Sequence, residues 1–167
     1  MTDLFDVQYK MLKKLEADEK GLDEEEILAL AIQGISKASY DIIAVLYKQK
    51  SMKRKSETIS RTVLEKLQEI VEWATMIHYS IGIETPEYED ITSYADDFED
   101  EVAADGVLCM LNVQRGLANI GISYFTEDID PESLDQDIGE VLAGCELLAR
   151  QHKASISDIV NGQFPTV

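Results

Sequence analysis

The chain has 167 residues, of which 45% are hydrophobic and 29% charged, and a net charge of −18. That length suits a single domain with its own core, and three prolines and nine glycines are too few for a Pro/Gly-rich disordered chain. The acid surplus argues against a nucleic-acid binder, which must neutralise phosphates, and against attraction to an anionic membrane surface.

In chain order the pattern is helical throughout. Thr2 caps a first helix over about Asp3 to Glu19, which Gly21 breaks. Asp23 then caps "EEEILALAIQGISKASYDIIAVLYKQK", with acids in the first turn as the helix dipole favours. Its Ile27, Leu30, Ala31, Gly34, Ala38 and Ile42 recur at three and four. Ser56 or Thr58 opens a third helix that ends at Gly82. Thr85-Pro86 starts a fourth, with a break near Ala95, running to about Gly121. Asp130-Pro131-Glu132 starts a fifth that reaches about His152, and "SISDIV" adds a last turn. No stretch alternates at period two. The expectation is one all-α domain over residues 1–167, a bundle of four to five long helices.

Cys109 and Cys145 fall inside apolar helical patterns and read as reduced core thiols. The N-terminus lacks the apolar stretch of a signal peptide, and no run of about 18 apolar residues predicts a membrane span. These features predict a cytoplasmic protein. His78 and His152 have no neighbours spaced for a triad and read as structural or surface residues.

Charge is distributed unevenly. Residues 1–66 hold twelve basic and twelve acidic residues, whereas residues 67–149 hold Arg115 against twenty acids. Lys48, Lys50, Lys53, Arg54, Lys55 and Arg61 cluster ahead of this acidic half. Such charge is either a solvated surface or a means of meeting cations and anions.

Four carboxylates stand out. Glu69 and Glu72, at i and i+3, share one face of the third helix, opposite the apolar face of Leu67, Ile70, Val71, Ala74 and Ile77. Trp73 and Met76 flank them. In "VAADGVLCMLNV", Val102 to Val113, only Asp105 and Asn112 are polar. A carboxylate in an apolar run must be paired, neutralised or metal-bound. Glu101 lies one turn before Asp105 and Asn112 two turns after it, on the same helix face. Converging acids of this kind suit Mg²⁺. The other reading is a helix N-terminus rich in acids, with Asp105 bonded to a neighbouring hydroxyl or lysine.

"LEKLQEIVEW" followed by "EVAADGVLCMLN" resembles the MazG-like, all-α nucleoside triphosphate pyrophosphohydrolases, over about residues 58–122. Their signature is Glu-x-x-Glu on one helix and Glu-x-x-Asp on the next. Glu69 and Glu72 match the first half and Asp105 the final position; Val102 stands at the second Glu, with Glu101 adjacent. The resemblance implies Mg²⁺, or Mn²⁺, on Glu69, Glu72, Glu101 and Asp105, with Glu69 as candidate base. It implies a nucleoside triphosphate cleaved to monophosphate and pyrophosphate, and a homodimer or dimer of dimers. Lys53, Arg54, Lys55 and Arg61 are then the candidates to meet the phosphates, and Asn112 the sugar or base. Trp73, Tyr40 and Tyr47 are either base-stacking or core residues.

A second register starts from "DLFDVQYKMLKKLEADEKGLDEEEILALAIQG", which looks like the opening of the related dimeric dUTPases. It places the metal positions on Gln33, Ser36, Lys66 and Glu69, three of which are not carboxylates, and so implies an inactive protein. Asp137-x-x-Glu140 has the same general look, as a remnant of duplication or as a polar helix start. The family's basic tail is replaced by the acidic "GISYFTEDIDPESLDQD". The rival from another class is an acidic interaction protein on the same bundle, with residues 84–101 mimicking nucleic acid or meeting a basic partner.

Overall fold

A computed structural model describes residues 2–18, 21–52, 57–102, 105–126 and 131–164. Among these residues there are seven helices and no strand: α1 (Leu4–Asp18), α2 (Glu24–Met52), α3 (Glu57–Ile81), α4 (Tyr88–Val102), α5 (Gly106–Phe125), α6 (Pro131–Gln151) and the short α7 (Ile156–Val160). The expected all-α class is present. The predicted fourth helix, however, is two helices, and the division falls before Asp105 rather than near Ala95. Ala95 is buried inside α4. The physical reason lies at Asp105, whose backbone is extended (φ −138°, ψ 119°) and whose carboxylate accepts from the Val107 N–H at 2.9 Å. A short acid there competes for the backbone donors and starts a new helix.

Two antiparallel helix pairs form the body. In the first, α2 lies against α3, with Trp73 stacked over Gly34 and Lys66 reaching Asp41 at 3.5 Å. The inner face of α3 is the one its periodicity predicts: Leu67, Ile70, Val71, Ala74 and Ile77 are all buried. Gly82 ends α3 at φ +79°, where it and Ile83 donate back to the His78 carbonyl at 3.0 and 2.9 Å. In the second pair, α5 lies against α6 at two glycines. An added Cβ at Gly116 would sit 2.8 Å from the Asp137 carbonyl, and one at Gly144 would sit 2.8 Å from the Cys109 carbonyl. Further contacts join α2 to α5, α4 to α6, and α1, α6 and α7 to α3.

Helix α2 is also long and apolar enough over Glu24–Gln49 to cross a membrane, by length and composition only, a property the search for an unbroken apolar run does not detect. Its inner face, including Leu28, Ala31, Ile35, Ala38 and Ile42, is buried within the bundle.

The α5/α6 contact generates a stability prediction. Gly144→Ala forces a methyl onto the Cys109 backbone, which cannot rotate away, and is expected to cost about 1–3 kcal/mol. Urea unfolding should show a lower midpoint at an unchanged slope. A midpoint equal to wild type would mean the two helices have room to separate.

Candidate functional site

The acids singled out in the sequence are placed as follows. Glu69 is exposed and pairs with Lys66 at 3.6 Å, and Lys66 also reaches Asp41. Glu72 is half-buried on the same helix. Burial raises its pKa, the nearby Lys14 opposes this, and Glu69 adds to it. Asp105 adjoins Gly106, which is closed in by Leu46 and Leu148. It is an N-cap and not the mid-helix acid that the apolar run suggested; it stands at a helix start, as the alternative had it, but its donor is the Val107 N–H and not a hydroxyl or lysine, and the first turn of α5 holds no other acid. By its backbone Glu101 belongs to the last turn of α4, but its side chain lies outside the described residues, as do Lys53, Arg54 and Lys55. Among the described residues, no three or more His, Cys, Asp or Glu side chains are grouped to hold a metal ion.

Asn112, the candidate for sugar or base, is buried between α5 and α6. Its amide donates to the Glu140 carbonyl at 3.4 Å, and its Oδ1 accepts from Arg115 at 2.7 Å. Arg61 is exposed, pairs with Glu65 at 3.1 Å and lies over the Phe164 ring. Tyr40 and Tyr47 are exposed, which rules out a core role for both, and Trp73 is half-buried over Gly34. In the second register, Ser36 faces the α2/α5 groove while Lys66 and Glu69 pair on the α3 side of α2.

A polar cluster does converge, but at the third acid pair. Arg115, the sole base in the acidic half, reaches Glu140 Oε2 at 3.4 Å while holding Asn112. Asp137 lies beside them in a cleft of about 680 Å³ that also takes in Asn119, Ser123, Ser133 and Gln136. Burial and the Glu140 charge raise the Asp137 pKa, against a hydrogen bond from Asn119 and the Arg115 charge. The protein's own guanidinium thus sits where an acid pair would otherwise call for a bound cation.

Glu146 was missed. It is buried in the run "VLAGCELLA", where it is the sole polar residue, so the argument applied to Asp105 should have found it too. It accepts from the Ile156 N–H at 2.9 Å and pairs with Arg150 at 3.6 Å, tying the start of α7 to α6. Burial raises its pKa against both of these partners. Cys109 and Cys145 are buried free thiols, as their apolar setting predicted. Burial pushes Cys109 up to about 11 and Cys145 further, so neither is a ready nucleophile. His78 is buried and its Nδ1–H donates to the Ala74 carbonyl at 2.9 Å; His152 bonds Ser60 at 3.0 Å.

Compared with known proteins, the chain matches no family model, no curated protein and no solved structure. The resemblance to the MazG-like enzymes therefore rests on the quoted residues.

Two predictions follow from these placements. Asp105→Ala removes a cap and is expected to lower stability by about 1 kcal/mol, while Asp105→Asn, which can still accept from the Val107 N–H, stays near wild type. Thermal unfolding of both variants without metal checks this, and equal melting temperatures for Ala and Asn would remove the capping role.

The second concerns pH. Burial holds the His78 pKa below 6.5 in the fold, against the Ala74 hydrogen bond and the Asp135 charge. The unfolded chain takes up the proton first as pH falls below 6.5, so this contribution is intact above 6.5 and lost below it. The loss is at most about 1.4 kcal/mol per pH unit. Glu72, Asp137 and Glu146, with raised pKa values, act in the opposite direction and gain on acidification. The comparison must therefore be with His78→Gln: between about pH 7.5 and about pH 5.5, wild type should lose stability relative to the variant. A difference that stays constant across that range would contradict it.

Proposed function

We propose that this protein is a MazG-like helical bundle that works by binding rather than by hydrolysis, as an acidic interaction protein. The position of Asp105 carries the reading. The acid that made the strongest case for a buried metal ligand is engaged in capping its own helix. Two further placements support it. Glu69 pairs with Lys66, and Arg115 neutralises Glu140 from within the protein. By contrast, Glu84, Glu87, Glu89, Asp90 and Asp97 are exposed along α4 and the segment before it, while Asp96, also exposed, pairs with Arg150 at 3.1 Å. The inner face of α4 is anchored by Ile91 and Ala95, so its outer acids are presented on a fixed support. A basic protein surface is the partner this charge favours, through steered encounter and salt-sensitive binding.

Glu72 favours a second reading. A half-buried carboxylate with a raised pKa beside Glu69 is the kind of perturbed group found in catalytic sites. On that reading Mg²⁺, or Mn²⁺, held by Glu69 and Glu72 with help from Glu101 and Asp105, would supply charge neutralisation for triphosphate cleavage.

One pair of measurements separates the two. Pyrophosphate release should be absent across the common NTPs and dNTPs with Mg²⁺ or Mn²⁺. A fluorescent oligo-lysine peptide should bind, more weakly as salt rises, and the triple variant Glu84→Gln/Glu89→Gln/Asp97→Asn should reduce that binding. Metal-dependent release that is lost in Glu72→Gln would overturn the binding reading and establish the enzymatic one.

A further inference from the structure

Four large apolar side chains left outside the core stand together. Tyr40 on α2 and Leu111, Ile122 and Phe125 on α5 are between 48% and 63% exposed. On α5, Leu111, Gln114, Ala118, Ile122 and Phe125 are spaced three, four, four and three apart, which makes them one outward stripe. The two helices run antiparallel side by side, with Gly121 beside Ile32 at one end and Gly106 beside Leu46 at the other. Between them lies a groove of about 590 Å³ whose lining holds no charged side chain. Two of its polar side chains bond inward: the Gln114 amide donates to the Ser39 hydroxyl at 3.2 Å, and the Thr126 hydroxyl to the Ile122 carbonyl at 2.6 Å. From Gln114 to Thr126 the groove follows α5 for about 18 Å, at about 1.5 Å per residue. It therefore offers apolar contact along a straight line of roughly three helical turns.

One end of the groove is acidic. Asp23, Glu24, Glu25 and Glu26, at the start of α2, are all exposed. Burial, and then the charges of Glu25, Asp23 and Glu24, raise the Tyr124 pKa, so these acids stand close to the end of α5 where Phe125 lines the groove. Glu25 also shares a face of α2 with the lining, since Glu25, Ala29, Ile32, Ser36 and Tyr40 are spaced four, three, four and four apart. Further along α2 the exposed charges are Lys37 and Lys48. The occupant that matches this pattern is apolar along its length and basic at one end.

We propose that the α2/α5 groove is the docking site for an amphipathic helix of another protein, laid along the groove with its apolar face inward and its basic N-terminal turn against Asp23, Glu24, Glu25 and Glu26. A helix supplies anchors at i, i+3, i+4 and i+7, the spacing that a straight apolar groove accepts. Its N-terminal end carries the positive end of the helix dipole, which adds to the attraction of Lys or Arg in that turn for the four acids. A second copy of this chain is disfavoured as occupant because it brings another net charge of −18 to the same face. The acids at the groove's end likewise repel an anionic membrane surface. The outer acids of α4 have no part in this contact, so the inference is independent of the binding reading above.

The test is fluorescence anisotropy of the full chain with a labelled amphipathic peptide of about 14 residues, long enough to span the groove. Its leucines share one helical face, and its lysines are confined to the first turn. Binding is expected at physiological salt, whereas a peptide of the same composition with the leucines scrambled off that face should not bind. Tyr40→Asp and Ile122→Asp, at positions 61% and 63% exposed, should each weaken binding about tenfold or more with unchanged helical circular dichroism. Glu25→Lys should weaken it about three- to tenfold, and a peptide with glutamates in place of its lysines should recover that loss on this variant. Substitutions of the α4 acids should leave amphipathic-peptide binding unchanged, and the two aspartate variants should leave oligo-lysine binding unchanged, so the two readings fail separately. Equal binding of the scrambled peptide would overturn the proposal, as would indifference to both aspartate variants. No effect of Glu25→Lys would overturn the placement of the basic turn. Sedimentation of the wild type as a dimer that Ile122→Asp dissociates would assign the groove to a second copy and overturn the proposal. Binding to neutral phosphatidylcholine vesicles that Ile122→Asp abolishes would assign it to lipid, with the same consequence.

Discussion

The close approach of α5 to α6 is the contact on which the rest of the arrangement depends. Gly116 and Gly144 remove the side chains that would hold these helices apart, so each backbone nears the other's carbonyls. Contact that close leaves no room for water between Asn112 and Glu140, and their polar atoms must satisfy one another. Arg115 completes that set from the rim, and no buried side-chain nitrogen or oxygen in the described structure lacks a hydrogen bond. Because α6 also carries Glu146, the same packing fixes where α7 begins. Because α5 cannot slide on α6, its outward stripe keeps its alignment beside α2.

Two carboxylates in apolar runs illustrate how one physical rule has more than one solution. A carboxylate withdrawn from water needs a partner, and the half-buried Asp105 and the buried Glu146 both have one. Asp105 solves the problem locally, by ending one helix and accepting from the first turn of the next. Glu146 solves it at a distance, by accepting from the first turn of α7 and pairing with Arg150. The rule identifies residues that must be compensated, whereas the backbone decides by what.

The charge and the apolar surface divide the molecule between them. Acids are carried on the outside of α4, where Ile91 and Ala95 face inward and leave the other side of the helix to solvent. The α2/α5 seam is uncharged along its groove. A long helix such as α2, apolar inside and partly apolar outside, has the length and composition of a membrane span while its inner face is packed within the bundle.

The helical class, the start of α2 after Asp23, the end of α3 at Gly82 and the inner face of α3 were legible in the sequence. Each depends on local chemistry: a capping oxygen, a residue free to take positive φ, or apolar residues at helical spacing. The buried state of both cysteines was legible for the same reason. The division before Asp105 was not, because periodicity continues through a capped break when both helices are apolar. Nor could spacing tell which acid pairs meet. Glu69 and Glu72 share a face on one helix, but their neighbours are supplied by α1 and α2, and Asp105 caps α5. The guanidinium on Glu140 comes from 25 residues away, through the packing of α5 on α6. Sequence alone determined which segments coil and which faces they bury, since those depend on neighbours within a few residues. Tertiary structure alone decided which charges are partnered and which apolar stripe is left uncovered, since those depend on helices distant in the chain being brought together.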